Sequence, residues 1–194
     1  MGNYWMLEVR EPRGKSRAVI GRQPDLGDIS PDGFFDWLSG SRFDVKIPED
    51  LEFQLDSRYG SDITDFFPPA IPLMSVRMLT ALAGAGVDNI DSYAATLLDQ
   101  AGGRIDEEFR AINIVGRIAC ADLDASDCEV EDPQVPVGVD FNSLVIDEER
   151  AHGALLFRLH EACNGIVVHD SVREFLEPLQ LRGVVFVKPE DWSG

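Results

Sequence analysis

The apolar residues of this chain fall in short runs punctuated by Gly, Pro, Asn and Asp, and the C-terminal part shows the pattern most plainly. Leu155-Leu156-Phe157-Arg158-Leu159 has the length and composition of a strand. Asn164-Gly165 supplies a turn, and Ile166-Val167-Val168-His169 a second short strand. Asp170 or Ser171 then caps a helix over 172–181, with Val172, Phe175, Leu176 and Leu179 on its buried face. Gly183 ends that helix, and Val184-Val185-Phe186-Val187 is a closing strand. Strand, strand, helix, strand is not βαβ alternation. It predicts an α+β fold with a mostly antiparallel or mixed sheet, a few short helices and a small N-terminal lobe.

Earlier segments fit the same class. Tyr4 to Val9 reads as a strand that Pro12-Arg13-Gly14 breaks, and Arg17 to Gly21 as a second, shorter one. Phe34-Phe35-Asp36-Trp37-Leu38 is an apolar cluster of one helical turn. Leu51 to Asp56 alternates apolar and polar, the mark of a half-buried strand. Phe66-Phe67-Pro68-Pro69-Ala70-Ile71-Pro72 is read as irregular, because each proline removes a donor and fixes φ. This segment marks the boundary between an N-terminal lobe over 1–68 and a core over 69–194. Ser75 is placed as an N-cap for a helix carrying Val76, Leu79, Leu82 and Ala83, with Gly84 and Gly86 to end it. Asp91 to Leu98 and Phe109 to Cys120 form a hairpin around the turn-rich 100–104, and Ala111 to Gly116 is apolar enough for a central strand. Phe141 to Asp147 is a further strand.

Charge is the extreme property: 17 Lys+Arg stand against 35 Asp+Glu, a formal net charge of -18. Such a chain repels nucleic acid and anionic lipid, which bind proteins through cations, and draws basic partners by long-range steering. The charge is uneven. Arg10, Arg13, Lys15, Arg17 and Arg22 outnumber Glu8 and Glu11 near the N-terminus. From Ile118 to Glu149 there is no Lys or Arg, but there are Asp122, Asp124, Asp127, Glu129, Glu131, Asp132, Asp140, Asp147, Glu148 and Glu149. A block of this kind repels itself and is expected to be solvated, as an exposed loop system or an interaction surface. Simple solubility explains the net charge equally well when it is taken alone.

No motif for chemistry stands out. There is no phosphate-cradling glycine loop and no Gly-x-Ser-x-Gly elbow. His160 and Cys163 have a metal-compatible spacing, but no second pair stands near them. Asp122, Asp124 and Asp127 resemble the start of a calcium loop that lacks its central glycine and distal Glu. No metal, cofactor or catalytic residue is expected. Cys120, Cys128 and Cys163 read as free thiols of a reducing compartment. No apolar run approaches the roughly 18 residues that span a bilayer. Met1 to Arg10 lacks the pattern of a secretory signal, so the expected location is the cytoplasm.

Ordered motifs in the second half add to this reading. Phe109-Arg110-Ala111-Ile112-Asn113-Ile114-Val115-Gly116-Arg117-Ile118-Ala119-Cys120-Ala121-Asp122 is followed by Ser126, then by Leu144-Val145-Ile146-Asp147 and Leu156-Phe157-Arg158-Leu159. The unit Ile166 to Val172 and the run Leu181-Arg182-Gly183-Val184-Val185-Phe186 close the series. Together these resemble a family of bacterial immunity proteins of polymorphic toxin systems, first catalogued as a domain of unknown function and later named for a Myxococcus member. The match spans about residues 90–192 and makes 69–194 an immunity-type core. The resemblance implies binding to a cognate protein toxin and no catalysis. Asn113, Gly116, Phe157, Arg158 and Gly183 then hold the fold. An immunity protein shares its toxin's compartment, so the toxin is expected to act in the cytoplasm, to be basic, and to be directed at nucleic acid. Asp122, Asp124, Asp127, Glu129, Glu131 and Asp132 are the residues expected to meet it. The residues also leave open an acidic scaffold module for another basic partner, and an enzyme without a recognisable motif.

Overall fold

The computed structural model describes residues 2–10, 16–26, 37–68, 70–132 and 134–194. Pro12-Arg13-Gly14, Lys15, Phe34 to Asp36, Pro69 and Pro133 lie outside the described residues, so the readings placed on them have no structural counterpart.

In chain order the strands begin with β1 (Tyr4–Val9), β2 (Ile20–Arg22), β3 (Leu51–Leu55), β4 (Phe66–Phe67) and β5 (Leu73–Ser75). Helix α1 (Val76–Gly84) follows, then β6 (Ile90–Leu98), β7 (Phe109–Ile114), β8 (Arg117–Ile118), β9 (Asp127–Glu129) and β10 (Asp140–Ser143). The chain ends with α2 (Glu148–Ala151), β11 (Leu156–Leu159), β12 (Ile166–His169), α3 (Asp170–Leu176) and β13 (Val184–Val187). Two mixed sheets and a two-stranded ribbon result, so the fold is α+β as the strand pattern predicts. The larger sheet has the order β2-β3-β6-β7-β5-β4, the smaller β13-β1-β12-β11-β8, and the ribbon is β9-β10. Strands from both sides of the 68/69 boundary share each sheet: β1 pairs with β12 and β13, and β3 runs parallel to β6.

Three apolar layers hold these parts together. One lies between the sheets and takes in helices α1 and α3, through Leu7, Met74, Ile112, Leu156, Val168, Met78, Leu82, Val172 and Leu176. The second covers the other face of the larger sheet, where Leu51, Phe53 and Leu55 of β3 point inward by strand alternation. The third lies on the far face of the smaller sheet and includes Tyr4, Met6, Phe157 and Val167. Burial of this kind contributes about 25 cal/mol per Å² of apolar surface and is the main stabilising term.

Helix α1 begins as the sequence predicts. Ser75 sits in an extended conformation and its hydroxyl accepts the Met78 amide at 3.1 Å. The same hydroxyl donates to Asp65 at 2.7 Å, and Asp65 is fully buried. Asp65 in turn receives the Arg182 amide at 2.6 Å and its guanidinium at 3.1 Å, while Arg182 also clasps Glu107. This cluster joins the β4–β5 region of one sheet to the entry of β13 in the other.

Four local readings need correction. Phe66–Phe67 is regular: it forms β4 against β5, an edge position where the following Pro68 removes no ladder bond. The segment 109–120 is not one strand, because Gly116 at φ +123° turns the chain out of the larger sheet and β8 joins the smaller one. The strand at 141–147 stops at Ser143, and Asp147 instead caps α2 by accepting the Glu149 and Arg150 amides. The last helix is capped by His169, not Asp170 or Ser171, and ends at Leu176; Glu177–Leu179 continues as a 3-10 turn. A seven-residue helix presents only its i, i+4 pair Val172 and Leu176 to the core. Phe175 and Leu179 are therefore 47% and 40% exposed rather than buried.

Gly183 does not end the last helix, since left-handed Gln180 closes its 3-10 extension, but Gly183 meets a backbone requirement of its own. Its φ is +74°, and an added Cβ would stand 2.5 Å from the Cγ2 of buried Thr64. Gly183→Ala is expected to destabilise the protein by about 1–3 kcal/mol, read from thermal unfolding. A melt unchanged from wild type would refute that assignment.

Candidate functional site: an acidic ribbon on the smaller sheet

The acidic segment is two-faced. Its first and last residues zip together: Asp122 N–H donates to the Val145 carbonyl at 2.8 Å, Asp147 N–H to the Cys120 carbonyl at 2.7 Å, and Ala121 bridges Ile146. Between them the chain turns on Asp122, whose carboxylate accepts the Ala125 amide and whose carbonyl accepts both the amide and hydroxyl of Ser126. The β9-β10 ribbon follows. Its outer strand β10 is closed by the C-terminal residue, with Phe141 and Gly194 exchanging both backbone hydrogen bonds.

The underside is apolar and buried. Cys120, Ala121, Val139, Phe141 and Leu144 pack with Phe157, Val167 and Trp192 over the smaller sheet. Solvation of the block thus holds for its charges and not for its apolar residues: strand alternation buries Phe141 opposite the half-buried Cys128 and leaves the charges outside. Glu161 pins this layer from below. It is 3% exposed, its carbonyl accepts the Val139 amide and its Oε1 accepts the Ala121 amide, and burial pushes its carboxyl up.

On the upper side Asp124, Asp127, Glu129, Glu131 and Asp132 are exposed and Asp122 is half-buried. Among the described residues none of these six has a Lys or Arg within ion-pair distance; within 118–149 only Asp147 has one, from Arg150. Glu129 stands directly opposite Asp140 across the ribbon. Like charges in that position destabilise a ladder, and among the described residues no cation offsets them. Val135, Val137 and Val145 lie in the same segment with exposures of 61%, 46% and 37%. No sequence signal marks these three, because single valines between polar residues look alike whether covered or bare.

Of the motif residues, Phe157 lies in the apolar layer beneath this surface and the others lie elsewhere in the two sheets and their connections. Asn113 is buried in β7 and its Nδ2 donates to the Ser41 carbonyl at 2.7 Å. Phe157 is buried edge-on to Tyr4, with ring centroids 5.9 Å apart. Arg158 is buried in β11 and donates to the Cys163 carbonyl at 2.9 Å. Gly116 makes the corner between the sheets by receiving Arg158 N–H on its carbonyl and donating to Gly40. None of these four, nor Gly183, belongs to the exposed acidic face.

Cys120, Cys128 and Cys163 are free thiols. Burial pushes the Cys120 thiol up to about 12, with the Glu161 charge adding to the effect. In the folded chain at neutral pH, Cys120 should resist alkylation while Cys128 and Cys163 react, and unfolding should expose all three. Mass spectrometry after iodoacetamide treatment checks this; native labelling at Cys120 would contradict it. No group of three metal-ligating side chains is present among the described residues, and no helix among them is long and apolar enough to cross a membrane.

The fold and this surface define a class: a two-sheet α+β protein that carries an acidic, cation-poor face on a buried apolar underlayer. The model of an immunity protein family, Imm11, matches residues 8–191, and the chain belongs to that family. No curated protein matches it.

Proposed function

We propose that this chain neutralises a cognate toxin by direct protein contact in the cytoplasm, as a binder and not an enzyme. The toxin is a basic, nucleic-acid-directed protein, and the acidic ribbon is the face that meets it. The observation that carries this reading is the row Asp122, Asp124, Asp127, Glu129, Glu131 and Asp132, half-buried at Asp122 and exposed at the rest, with no ion-pairing cation among the described residues. Family membership supplies the toxin as partner. The physical chemistry supplies its sign: a cationic partner relieves the Glu129–Asp140 repulsion and is steered to the face at long range. Exposed Val135 and Val137 offer apolar contacts inside the charged frame, the usual division between anchor and rim in protein interfaces.

The decisive experiment is co-expression with the toxin encoded beside this chain's gene. Growth should be rescued, and the two proteins should co-purify. Rescue without a complex would point away from direct contact, and neither rescue nor complex would overturn the reading.

A further inference from the structure

Strand edges that stay open invite another strand, and proteins blunt them with short length, charge, proline or a bulge. Among the described residues this chain blunts its edges in just those ways. Strand β2 has three residues, a register shift and Arg22; β4 has two residues and runs into Pro68; β8 has two and lies next to the Gly116–Gly40 hydrogen bond. Strand β9 carries Asp127 and Glu129, and β10 is closed by Gly194.

Strand β13 is the exception. It is Val184-Val185-Phe186-Val187, uncharged, in regular register with β1 and, among the described residues, with no strand on its other side. Its hydrogen-bonding phase follows from one contact. Arg10 N–H donates to the Gly183 carbonyl, and Arg10 lies opposite Gly183 when the register is continued past Val9↔Val184. Val185 and Val187 therefore bond to β1. The N–H and C=O groups of Val184 and Phe186 point away from the sheet and meet no partner among the described residues.

We propose that the toxin lays an extended segment along β13 and pairs with these groups, adding a sixth strand to the smaller sheet. This deepens the toxin-binding reading and rests on it. The alternating side chains of β13 already lean on two apolar layers, Val184 and Phe186 on one and Val187 on the other. An added strand with apolar residues at alternate positions extends both layers. The occupant is a basic partner and not a second copy, because a copy carries the same net charge of -18 and is repelled at long range, while a cationic chain is attracted.

The test uses the full chain and, as probe, the purified toxin domain encoded beside its gene. Val184→Pro removes one outward donor and leaves the β1 ladder bonds in place, whereas Val184→Thr keeps the donor. Val184→Pro should weaken binding by roughly tenfold or more, with Val184→Thr near wild type. Hydrogen exchange adds a readout on the unmutated chain: the Val184 and Phe186 amides should exchange fast when free and slowly in the complex. That measurement decides the matter even if Val184→Pro fails to fold. A folded Val184→Pro protein that binds within twofold of wild type, or unprotected amides in the complex, overturns the strand addition and leaves toxin binding standing. A wild-type dimer that Val184→Pro dissolves overturns it in favour of self-pairing. Failure of the wild-type chain to bind the probe overturns both readings.

Discussion

Replacing Asp65 with alanine should destabilise the protein by about 3–5 kcal/mol and lower its Tm by roughly 6–20 °C. Asp65 is fully buried, and its carboxylate receives Ser75 Oγ, the Arg182 amide and the Arg182 guanidinium, with Arg77 at 3.5 Å. Removing it leaves buried Ser75 without that acceptor and strips Arg182 of one of its two carboxylates, Glu107 being the other. It also loosens the join between the sheets, since Asp65 N–H donates to the Arg182 carbonyl beside the carboxylate contact. Asp65→Asn keeps the shape and loses the charge, so it should fall between alanine and wild type.

The same residue sets part of the acid response. Burial by itself pushes Asp65 up, but hydrogen bonds from Arg182 and Ser75 outweigh burial and hold its carboxyl below the ordinary range. Glu107 is held down as well, chiefly by its hydrogen bond from Arg182. A carboxyl lowered in the folded state stabilises the protein above its unfolded pKa. That contribution is lost as pH falls through the folded value. Wild type should therefore lose stability on acidification more steeply than Asp65→Ala, and parallel acid curves would show that the cluster carries no such linkage.

Changing Asp124, Asp127 and Glu129 together to lysine should slow association with the toxin by about ten- to a hundredfold at low salt and flatten its dependence on ionic strength. All three are exposed and none holds an ion pair among the described residues, so folding should not suffer. Removing the negative charge opposite Asp140 even relieves a repulsion. Stopped-flow association at several salt concentrations separates this effect from a folding defect, which thermal unfolding reports independently. Rates unchanged at low salt would remove the acidic face from the interface without touching the family assignment.

Much of the local structure was legible because its causes are local. The alternation of Leu51, Phe53 and Leu55 and the Ser75 cap each act within a few residues of themselves. The acidic block was visible as composition, but its two faces were not. Phe141 and Val135 look alike in sequence as apolar residues among acids, and only the packing of Trp192 and Phe157 below the ribbon separates buried from bare. Phe175 failed for a similar reason: a helical stripe was counted over 172–181, but Pro178 lies just beyond a seven-residue helix whose packing uses only Val172 and Leu176.

By itself, then, the sequence determined the α+β class, most strands, the cap of α1, the sign and location of the charge and, through its motifs, the family. The tertiary structure alone decided which sheet each strand joins, which face of the acidic segment meets solvent, and that β13 ends as an open edge. It also decided that Asp65 would find Arg182 across 117 residues of chain. The physical reason is range. Periodicity and capping state which groups want cover or a partner, whereas the partner itself is chosen by contacts between distant segments.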